Sequence, residues 1–366
     1  MTRELLWEVN PGEHRLALIE NGELVEFRLL RTVGRFASTG AGDIRGARIT
    51  GRLGAGKALV ELDDGSEALL DCAPMLAEGT RLAVEICRPP IPEPGRWKRA
   101  ICKARDDIRV ADTAARDLPA IGTIFARYAM AADCIIVPDQ NAWTELTGRM
   151  GGADVPIRID AAAFSGTDFD QLESIAITGE VAIANGQLSI ERTRAMAVID
   201  IDGSGDPLAL NLAAALEIPR LLRLFDIGGQ IGIDFLAMPD RKARQRLDTV
   251  LAEAGEMLGP HERTAANGFG FVQMVRPRFG PSIAELLCGI TPGRLSLESR
   301  AIALLRVASR STGFGPRRIV AAPAITDLMR QWPAELAALQ KRLGAEIELV
   351  PDSSASGYGH VHVSQS

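Results

Sequence analysis

Acidic residues lie at the ends of two short apolar runs in the middle of the chain. The first run, Ala197–Ile201, contains Asp200 and is followed by Asp202. The second run, Gln230–Phe235, contains Asp234. Each run has the length of a buried strand, and glycine or proline follows, which is typical of a strand end. Since hard cations prefer oxygen ligands, carboxylates gathered at strand ends predict a metal site.

The same aspartates also have a purely structural interpretation. Asp200 and Asp202 would then cap the turn that follows a strand, and Asp234 would cap a helix, because short carboxylates accept hydrogen bonds from backbone N–H groups. On a strand, Asp200 and Asp202 point to one face, since they are two residues apart. Both interpretations stay open on the residues alone.

The composition is that of a globular protein with several cores. The chain has 366 residues, of which 46% are hydrophobic and 24% charged, enough for two or three domains of about 100–200 residues. Its five cysteines form no C-x-x-C pair and no apolar leader begins the chain, so we expect free thiols in the cytoplasm. No window reaches the roughly 18 apolar residues of a spanning helix, which predicts no membrane segment. The net charge of −6 does not exclude nucleic acid, because binding needs only a local basic stripe.

Alternating patterns and glycine turns indicate β-structure through the first 105 residues. Three strands before residue 31 indicate the opening of an antiparallel sheet. Five further short strands, the last at Trp97–Ala104 after a proline-rich loop, indicate a small barrel of the OB type. Such barrels bind single-stranded nucleic acid over a basic groove. Arg48, Lys57 and Lys103 are the candidates for phosphate contacts, although solvated charges on a small β-domain would show the same pattern.

Helices and strands alternate after the barrel. Residues 106–178 combine a polar linker with helix and strand, and we expect them to complete the N-terminal sheet, so that the barrel is an insertion in it. A helix at Leu208–Phe225, with Asn211 as its cap, separates the two acidic strand ends. Arg276 and Arg278 follow two apart on a strand and are candidates for phosphate contacts, with solvated surface arginines as the alternative. Residues 294–366 indicate a small C-terminal α/β domain.

Several motifs, taken in order, resemble the ribonuclease E/G family of bacterial endoribonucleases. They are Gly42-Asp43-Ile44-Arg45-Gly46, the AVIDIDGSG run at 197–205, NLAA at 211–214, RLFDIGG at 223–229, IGIDF at 231–235, GFG at 268–270, MVRPR at 274–278 and YGHVHV at 358–363. The resemblance implies a shortened family member, an α/β and all-β multidomain protein. Its parts would be an RNase H-like sheet (1–37 and 106–178), an inserted OB-type barrel (38–105), a DNase I-like catalytic subdomain (179–287) and the C-terminal α/β domain (294–366).

The resemblance also implies the chemistry of the site. The family's DNase I-like subdomain holds a magnesium ion with two aspartates and an asparagine, and these positions match Asp200, Asp234 and Asp202. The implied activity is Mg²⁺-dependent hydrolysis of single-stranded RNA in rRNA or mRNA processing, with Mn²⁺ as a substitute ion. A bound ion would acidify a water and offset charge on the phosphate. A homodimer through the catalytic subdomain is implied as well. Asp202 departs from the pattern, because a carboxylate replaces an amide.

The features with which the family handles RNA are reduced in this chain. Leu59 and Leu69 stand where the family's barrel has aromatic residues, which weakens base stacking. The family's 5′-monophosphate sensor has no counterpart, since residues 104–119 are too few to contain it. Its zinc-binding C-x-x-C is reduced to Cys288, so no zinc site is expected. These departures leave an alternative open, a non-catalytic RNA-binding or assembly protein with a degenerate ribonuclease fold.

Overall fold

The structure, a computed structural model, describes residues 2–37, 40–71, 76–110, 128, 131–149, 155–165 and 168–363. Within these ranges the strands form a five-stranded sheet, a closed five-stranded barrel, a six-stranded sheet, a three-stranded sheet and a hairpin. The mixed α/β and all-β organisation is therefore confirmed, and the barrel is consistent with the OB type. No helix in the described ranges has the length and apolarity needed to span a bilayer.

The strands and helices have the following bounds. The strands are β1 (Arg3–Asn10), β2 (Glu13–Glu20), β3 (Glu23–Arg31), β4 (Ile44–Leu53), β5 (Lys57–Leu62), β6 (Glu67–Asp71), β7 (Arg81–Arg88), β8 (Ile91–Glu93), β9 (Arg96–Lys98), β10 (Ala100–Ala104), β11 (Cys134–Val137), β12 (Ile157–Ile159), β13 (Glu180–Ile183), β14 (Gly186–Arg192), β15 (Ala197–Gly203), β16 (Gly229–Asp234), β17 (Glu262–Arg263), β18 (Phe271–Arg276), β19 (Arg317–Ala321), β20 (Ile347–Pro351) and β21 (His360–Val363). The helices are α1 (Gln140–Arg149), α2 (Ala162–Ser165), α3 (Phe169–Thr178), α4 (Pro207–Leu224), α5 (Arg241–Gly255), α6 (Ile283–Cys288), α7 (Leu297–Arg310), α8 (Pro323–Arg330) and α9 (Pro333–Leu343), with a 3₁₀ turn at Glu256–Leu258.

The five-stranded sheet joins the N-terminal strands to strands that follow the barrel. Its order is β12-β11-β1-β2-β3, with β1 antiparallel to β2 and parallel to β11. Both faces of β1 are buried, because Leu5 and Trp7 pack into one core and Leu6 into another. The barrel strands therefore interrupt this sheet in sequence. Whether the sheet is RNase H-like stays a prediction.

The barrel closes in the order β10-β6-β5-β4-β7. Every second residue of its strands points inward, so that Ile49, Val60 and Leu70 form its core with the other buried residues. Leu59 and Leu69 lie opposite each other on β5 and β6 and are half-buried. The expected last strand, Trp97–Ala104, is divided: residues 96–98 pair with β8 as a hairpin outside the barrel, and residues 100–104 complete the barrel.

The six-stranded sheet has the order β13-β14-β15-β16-β18-β17. Strands β15 and β16 are parallel, and α4 connects them, whereas the other neighbours are antiparallel. Ile199, Ile201 and Ile233 point into the core, in which α4 also buries its apolar face. The intervening residues of these strands face away from this core. The DNase I-like subdomain was predicted in this region, and that identity stays a prediction.

The expected cap of α4 is wrong. The helix begins at Pro207, and Asp206 caps it by accepting hydrogen bonds from the N–H groups of Leu208 and Ala209. Asn211 lies inside the helix, fully buried. The sequence Asp206-Pro207 fits this start, because aspartate favours the N-cap and proline the first helical position.

A buried charge cluster connects the N-terminal sheet to α3 and α7. Arg306 donates to Glu13 at 3.0 Å and to Glu173 at 2.8 Å. Arg15, which is 1% exposed, donates to Glu8 at 2.6 Å and to Glu173 at 3.0 Å. Removing one member of such a cluster leaves a buried charge without its partner, which typically costs about 3–5 kcal/mol. The C-terminal α/β part, whose sheet has the order β20-β19-β21, is thereby held against the first sheet.

Candidate active site at the ends of two parallel strands

The structure brings Asp200 and Asp234 side by side. They are paired residues in the register of β15 and β16, so their backbones are about 4.8 Å apart and their side chains leave the same face of the sheet. Asp202 lies two residues further along β15 and shares that face. All three residues are exposed. The alternation that buries the neighbouring isoleucines is what exposes these carboxylates.

The structure also bears on the capping interpretation. The helix after Asp234 begins at Arg241, and its cap is Asp240, which accepts a hydrogen bond from Ala243 N at 2.8 Å. Among the described residues, the side chains of the three aspartates accept one hydrogen bond, a local one from Ile201 N to Asp200 Oδ1 at 3.0 Å. None of the three forms an ion pair with a described residue. Asp234 is therefore not a helix cap, and the carboxylates face solvent.

The donor set suits a magnesium ion that is shared with a substrate. No group of three or more His, Cys, Asp or Glu side chains that could hold a metal occurs in the described part of the chain. Magnesium does not require such a cage, because it keeps several waters and binds through one or two carboxylates together with substrate phosphates. Asp200 and Asp234, adjacent and exposed, fit this mode, and Asp202 adds negative charge on the same face.

Asn211 holds the backbone just after Asp234. Its Nδ2 donates to Leu236 O at 2.8 Å, and its Oδ1 accepts from Leu236 N at 3.0 Å. The side chain reaches this backbone from the buried face of α4. On the other side, Gly270 (φ +95°) lies so close that a Cβ atom there would be 2.2 Å from Phe235 O. Two neighbouring segments therefore fix the end of β16 and position Asp234.

Phe269 is an exposed aromatic residue beside the aspartate pair. Its side chain is 87% exposed, and it lies two residues before Phe271, the register partner of Asp234. The side chain of Asn267 shapes this loop, because its Oδ1 accepts from Phe269 N at 2.9 Å and from Phe271 N at 3.1 Å. An exposed aromatic ring on a loop whose backbone is held in this way is suited to stacking on a nucleic-acid base.

The three basic residues predicted on the barrel each pair with a carboxylate. Arg48 contacts Glu61 at 3.1 Å, Lys57 contacts Asp71 at 3.4 Å and Lys103 contacts Glu85 at 3.2 Å. These pairs are on the surface, where such contacts contribute little stability. Their charges are nonetheless partly compensated, which reduces their attraction for phosphate. Contact with RNA at these positions stays a prediction.

Arg276 and Arg278 do not share a strand, since β18 ends at Arg276. Arg276 donates to Leu222 O at 3.2 Å and to Ile227 O at 3.0 Å, so its guanidinium ties the end of α4 to the following turn. Its register partner is Gly229, five residues before Asp234 on β16, which places it about 17 Å from the aspartate pair. The backbone of Arg276 is thus distant from the aspartate pair, and contact of Arg276 or Arg278 with RNA stays a prediction.

Residues 132–279 match the family model of the Ribonuclease E/G family. Over these residues, about two-fifths of the chain, it is similar to the ribonuclease E/G family. Ribonuclease E of Escherichia coli K12 is 29% identical over 215 residues, which are 53% of this chain and 20% of that protein. Ribonuclease G of the same strain is 34% identical over 121 residues, 30% of this chain and 24% of that protein. The chloroplastic Ribonuclease E/G-like protein of Arabidopsis thaliana is 30% identical over 131 residues, 32% of this chain and 13% of that protein. The alignments thus span at most a quarter of the length of these three relatives.

The part that matches the ribonuclease E/G family contains all three aspartates, Asn211 and Phe269. The barrel and the C-terminal part lie outside it. Cys288, where the resemblance implied a reduced zinc motif, is 2% exposed at the end of α6, and burial raises the pKa of its thiol. Cysteine behaves as a small apolar residue at such a position. The prediction of a missing 5′-monophosphate sensor concerns residues 104–119, of which 111–119 lie outside the described residues.

Proposed function

We propose that this chain is a metal-dependent endoribonuclease that hydrolyses phosphodiester bonds in single-stranded RNA. The observation that supports it most directly is the register of β15 and β16, which sets Asp200 beside Asp234 at an exposed edge. The match to the ribonuclease E/G family over 132–279 supports the reaction class. The cofactor would be Mg²⁺, with Mn²⁺ as a substitute. Asp200 and Asp234 would hold it, and Asp202 would assist.

A bound magnesium ion supplies an acidified water and neutralises charge on the phosphate. The residues of the chain do the rest. Asn211 and Gly270 keep Asp234 at a fixed position on the edge of the sheet, so the two carboxylates need no rearrangement when substrate arrives. Phe269, exposed on the loop before β18, would stack on a base of the bound RNA and orient the strand. Asp202, two residues further along β15 on the same exposed face, would add a third carboxylate to the site.

A cleavage assay tests this proposal. Purified full chain is incubated with an end-labelled single-stranded RNA in Mg²⁺ or in EDTA, and Asp234→Asn is compared with wild type. We expect cleavage only with the metal, and a loss on the order of 10²-fold or more in the variant, because a group that stabilises transition-state charge is removed. Asp240→Asn is the matched control, since asparagine also caps a helix. Cleavage that EDTA does not affect, or equal rates for Asp234→Asn and wild type, would refute the metal site.

A non-catalytic RNA-binding or assembly protein is the second candidate. It is favoured by Asp202, which replaces an amide at the site, and by the paired charges on the barrel. A gel shift on the same RNA separates the two, because binding without cleavage would support this candidate. The remaining parts of the proposal are rRNA or mRNA as substrates and a homodimer through 179–287, which rest on the family alone, and the cytoplasmic location, which rests on the cysteine pattern. Light scattering on the purified chain tests the dimer, and a monomeric mass would remove it.

A further inference from the structure

A cavity of about 550 Å³ lies at the opposite end of β15 and β16 from the aspartates. Met196 and Gln230 line it, whereas Asp200 and Asp234 do not. Along β15 the step from Ala197 to Asp200 is about 10 Å, so the cavity is separate from the candidate active site. Its volume lies within the range of about 300–1,000 Å³ that is usual for small-molecule sites.

The hairpin of β8 and β9 forms one wall of this cavity. Arg194 Nε donates to Pro94 O at 3.0 Å, and Gly95 N donates to Ile290 O at 2.8 Å, so the tip of the hairpin is held against the six-stranded sheet and the turn after α6. Residues from distant parts of the chain therefore enclose the space, and the cavity is part of the folded structure.

The lining of the cavity has more cations than carboxylates. Among the described residues it contains five basic side chains, Arg88, Lys98, Arg192, Arg194 and Arg278, against three acidic ones, Glu93, Glu191 and Glu285. Glu93 pairs with Lys98 at 3.3 Å and also with Arg96. Glu285 alone serves both Arg278 and Arg192, the second at 3.8 Å. The five basic side chains of the cavity therefore outnumber its three carboxylates, and Arg192 and Arg278 share one of these carboxylates.

Two of these arginines have buried N–H groups without a hydrogen-bond partner. They are Arg88 Nε and Arg192 Nη1. The remaining contacts are few: Arg88 donates to Arg99 O at 2.7 Å and Arg192 to Gly289 O at 3.4 Å. Burial lowers the pKa of both guanidiniums, and the positive charge of Arg278 lowers it further. Buried donors of this kind cost free energy unless an acceptor satisfies them, and an anion is the strongest acceptor available.

The rest of the wall is apolar. Ile175, Ile177, Met196, Phe225 and Ile227 lie along it. A cavity with a cluster of arginines and an apolar wall suits a ligand that has an anionic group attached to an apolar or planar body. Guanidinium groups match phosphate oxygens in geometry, because each can donate two parallel hydrogen bonds.

We infer that this cavity binds the phosphate of a nucleotide-sized molecule through Arg88, Arg192 and Arg278. The base or another planar group lies against Ile177, Met196 and Phe225. Two sources share this chemistry, a free mononucleotide and a nucleotide unit of an RNA chain. A volume of about 550 Å³ has room for one nucleotide, so we expect the free molecule. This binding does not depend on the proposed cleavage, since no residue of the aspartate site takes part.

Calorimetric titration of the full chain in EDTA tests the inference, because no metal-dependent cleavage can then contribute. The probes are AMP, adenosine, inorganic phosphate and an eight-nucleotide single-stranded RNA at fixed salt. We expect AMP to bind and adenosine not to bind at the same concentrations. Arg88→Gln and Arg192→Gln should each weaken AMP binding by about tenfold or more, as the loss of a charge-assisted hydrogen bond does. Arg330→Gln, on α8 and paired with Asp327, is the matched control and should bind AMP as wild type does.

A cooperative thermal unfolding transition shows that each variant is folded. If one of the two arginine variants does not fold, the other still tests the binding of AMP. Equal binding of AMP and adenosine would overturn the phosphate assignment. Unchanged AMP affinity in both arginine variants would do so too, as would no binding of AMP at millimolar concentration. Binding of the RNA alone, weakened by Arg88→Gln, would overturn the free nucleotide as the source. A chain that binds AMP but cuts no RNA would leave the inference standing and refute only the proposed nuclease.

Discussion

Replacing Asn211 should damage both the stability of the fold and the candidate active site. The side chain is fully buried and makes two hydrogen bonds to Leu236, at 2.8 and 3.0 Å. In Asn211→Ala both backbone groups of Leu236 lose their partner. Each such group costs about 1–3 kcal/mol, and the lower figure applies because Leu236 is half-buried and water reaches it. We expect a loss of about 2 kcal/mol in the free energy of unfolding.

Urea unfolding measures this loss, and cleavage at several Mg²⁺ concentrations measures the effect on the site. Asn211→Leu removes the same hydrogen bonds with a side chain of similar size, so it separates them from the effect of a cavity. Asn141→Ala, at an exposed position of α1, should change stability by no more than about 0.5 kcal/mol. If Asn211 positions Asp234, both Asn211 variants need more Mg²⁺ for half-maximal cleavage, by about 10–100-fold, as when a group that orients a metal ligand is lost.

Two results would refute this reasoning. An Asn211→Ala protein as stable as wild type within about 0.5 kcal/mol would show that water replaces the two hydrogen bonds at no cost. A protein that loses stability but keeps the Mg²⁺ dependence of wild type would show that Asn211 supports the fold and does not position Asp234.

The remaining predictions concern RNA binding and acid stability. Phe269→Ala should weaken single-stranded RNA binding in a gel shift by about 1–3 kcal/mol, the usual cost of losing one stacked base; Phe314→Ala, at 94% exposure, is the control, and equal affinities of both variants would exclude stacking at Phe269. Burial alone would raise the pKa of Glu8, but Arg15 and Arg310 lower it from 4.5 to about 2. Since the pKa of the folded state is the lower one, Glu8 contributes its full stability above about pH 4.5 and loses it as the pH falls toward 2. The difference between the two pKa values corresponds to about 3 kcal/mol in the free energy of unfolding. Denaturant unfolding at pH 6 and pH 3 should show a smaller loss in Glu8→Gln than in wild type, and equal losses would contradict the assignment.

The aspartate pair could be predicted from the sequence because its signal is local. Each apolar run has strand length, and within each run the residues that alternate with isoleucine are the ones that a half-buried strand exposes. The placement of Asp200 beside Asp234 adds one fact that the runs alone do not contain, the parallel pairing of β15 with β16. The resemblance to a known family implied only that the two aspartates share a metal ion.

Asn211 shows why other features could not be predicted. As an asparagine near the start of a helix, it fits the pattern of a helix cap. Its actual hydrogen-bond partner, Leu236, lies 25 residues further along the chain, and only the folded structure shows that the two residues are in contact. The arginine cavity is formed by segments that are up to about 200 residues apart, so its surplus of positive charge has no local pattern. A signal that did exist was Asp206-Pro207, which marks the true start of α4.

The residues of the buried charge cluster are synthesised at very different times, so the cluster can form only late in translation. Glu13 leaves the ribosome early, but its partner Arg306 follows 293 residues later. Until then Glu13 and Glu173 lack the arginine that donates to both of them, although β11 and β12 complete the first sheet as soon as Ile159 has been made. The N-terminal strands are therefore the first part of the chain to be made and among the last to reach their final surroundings. Between the synthesis of Ile159 and that of Arg306, a nascent chain therefore has all strands of the first sheet, but the surface that α7 will cover is still exposed and open to aggregation.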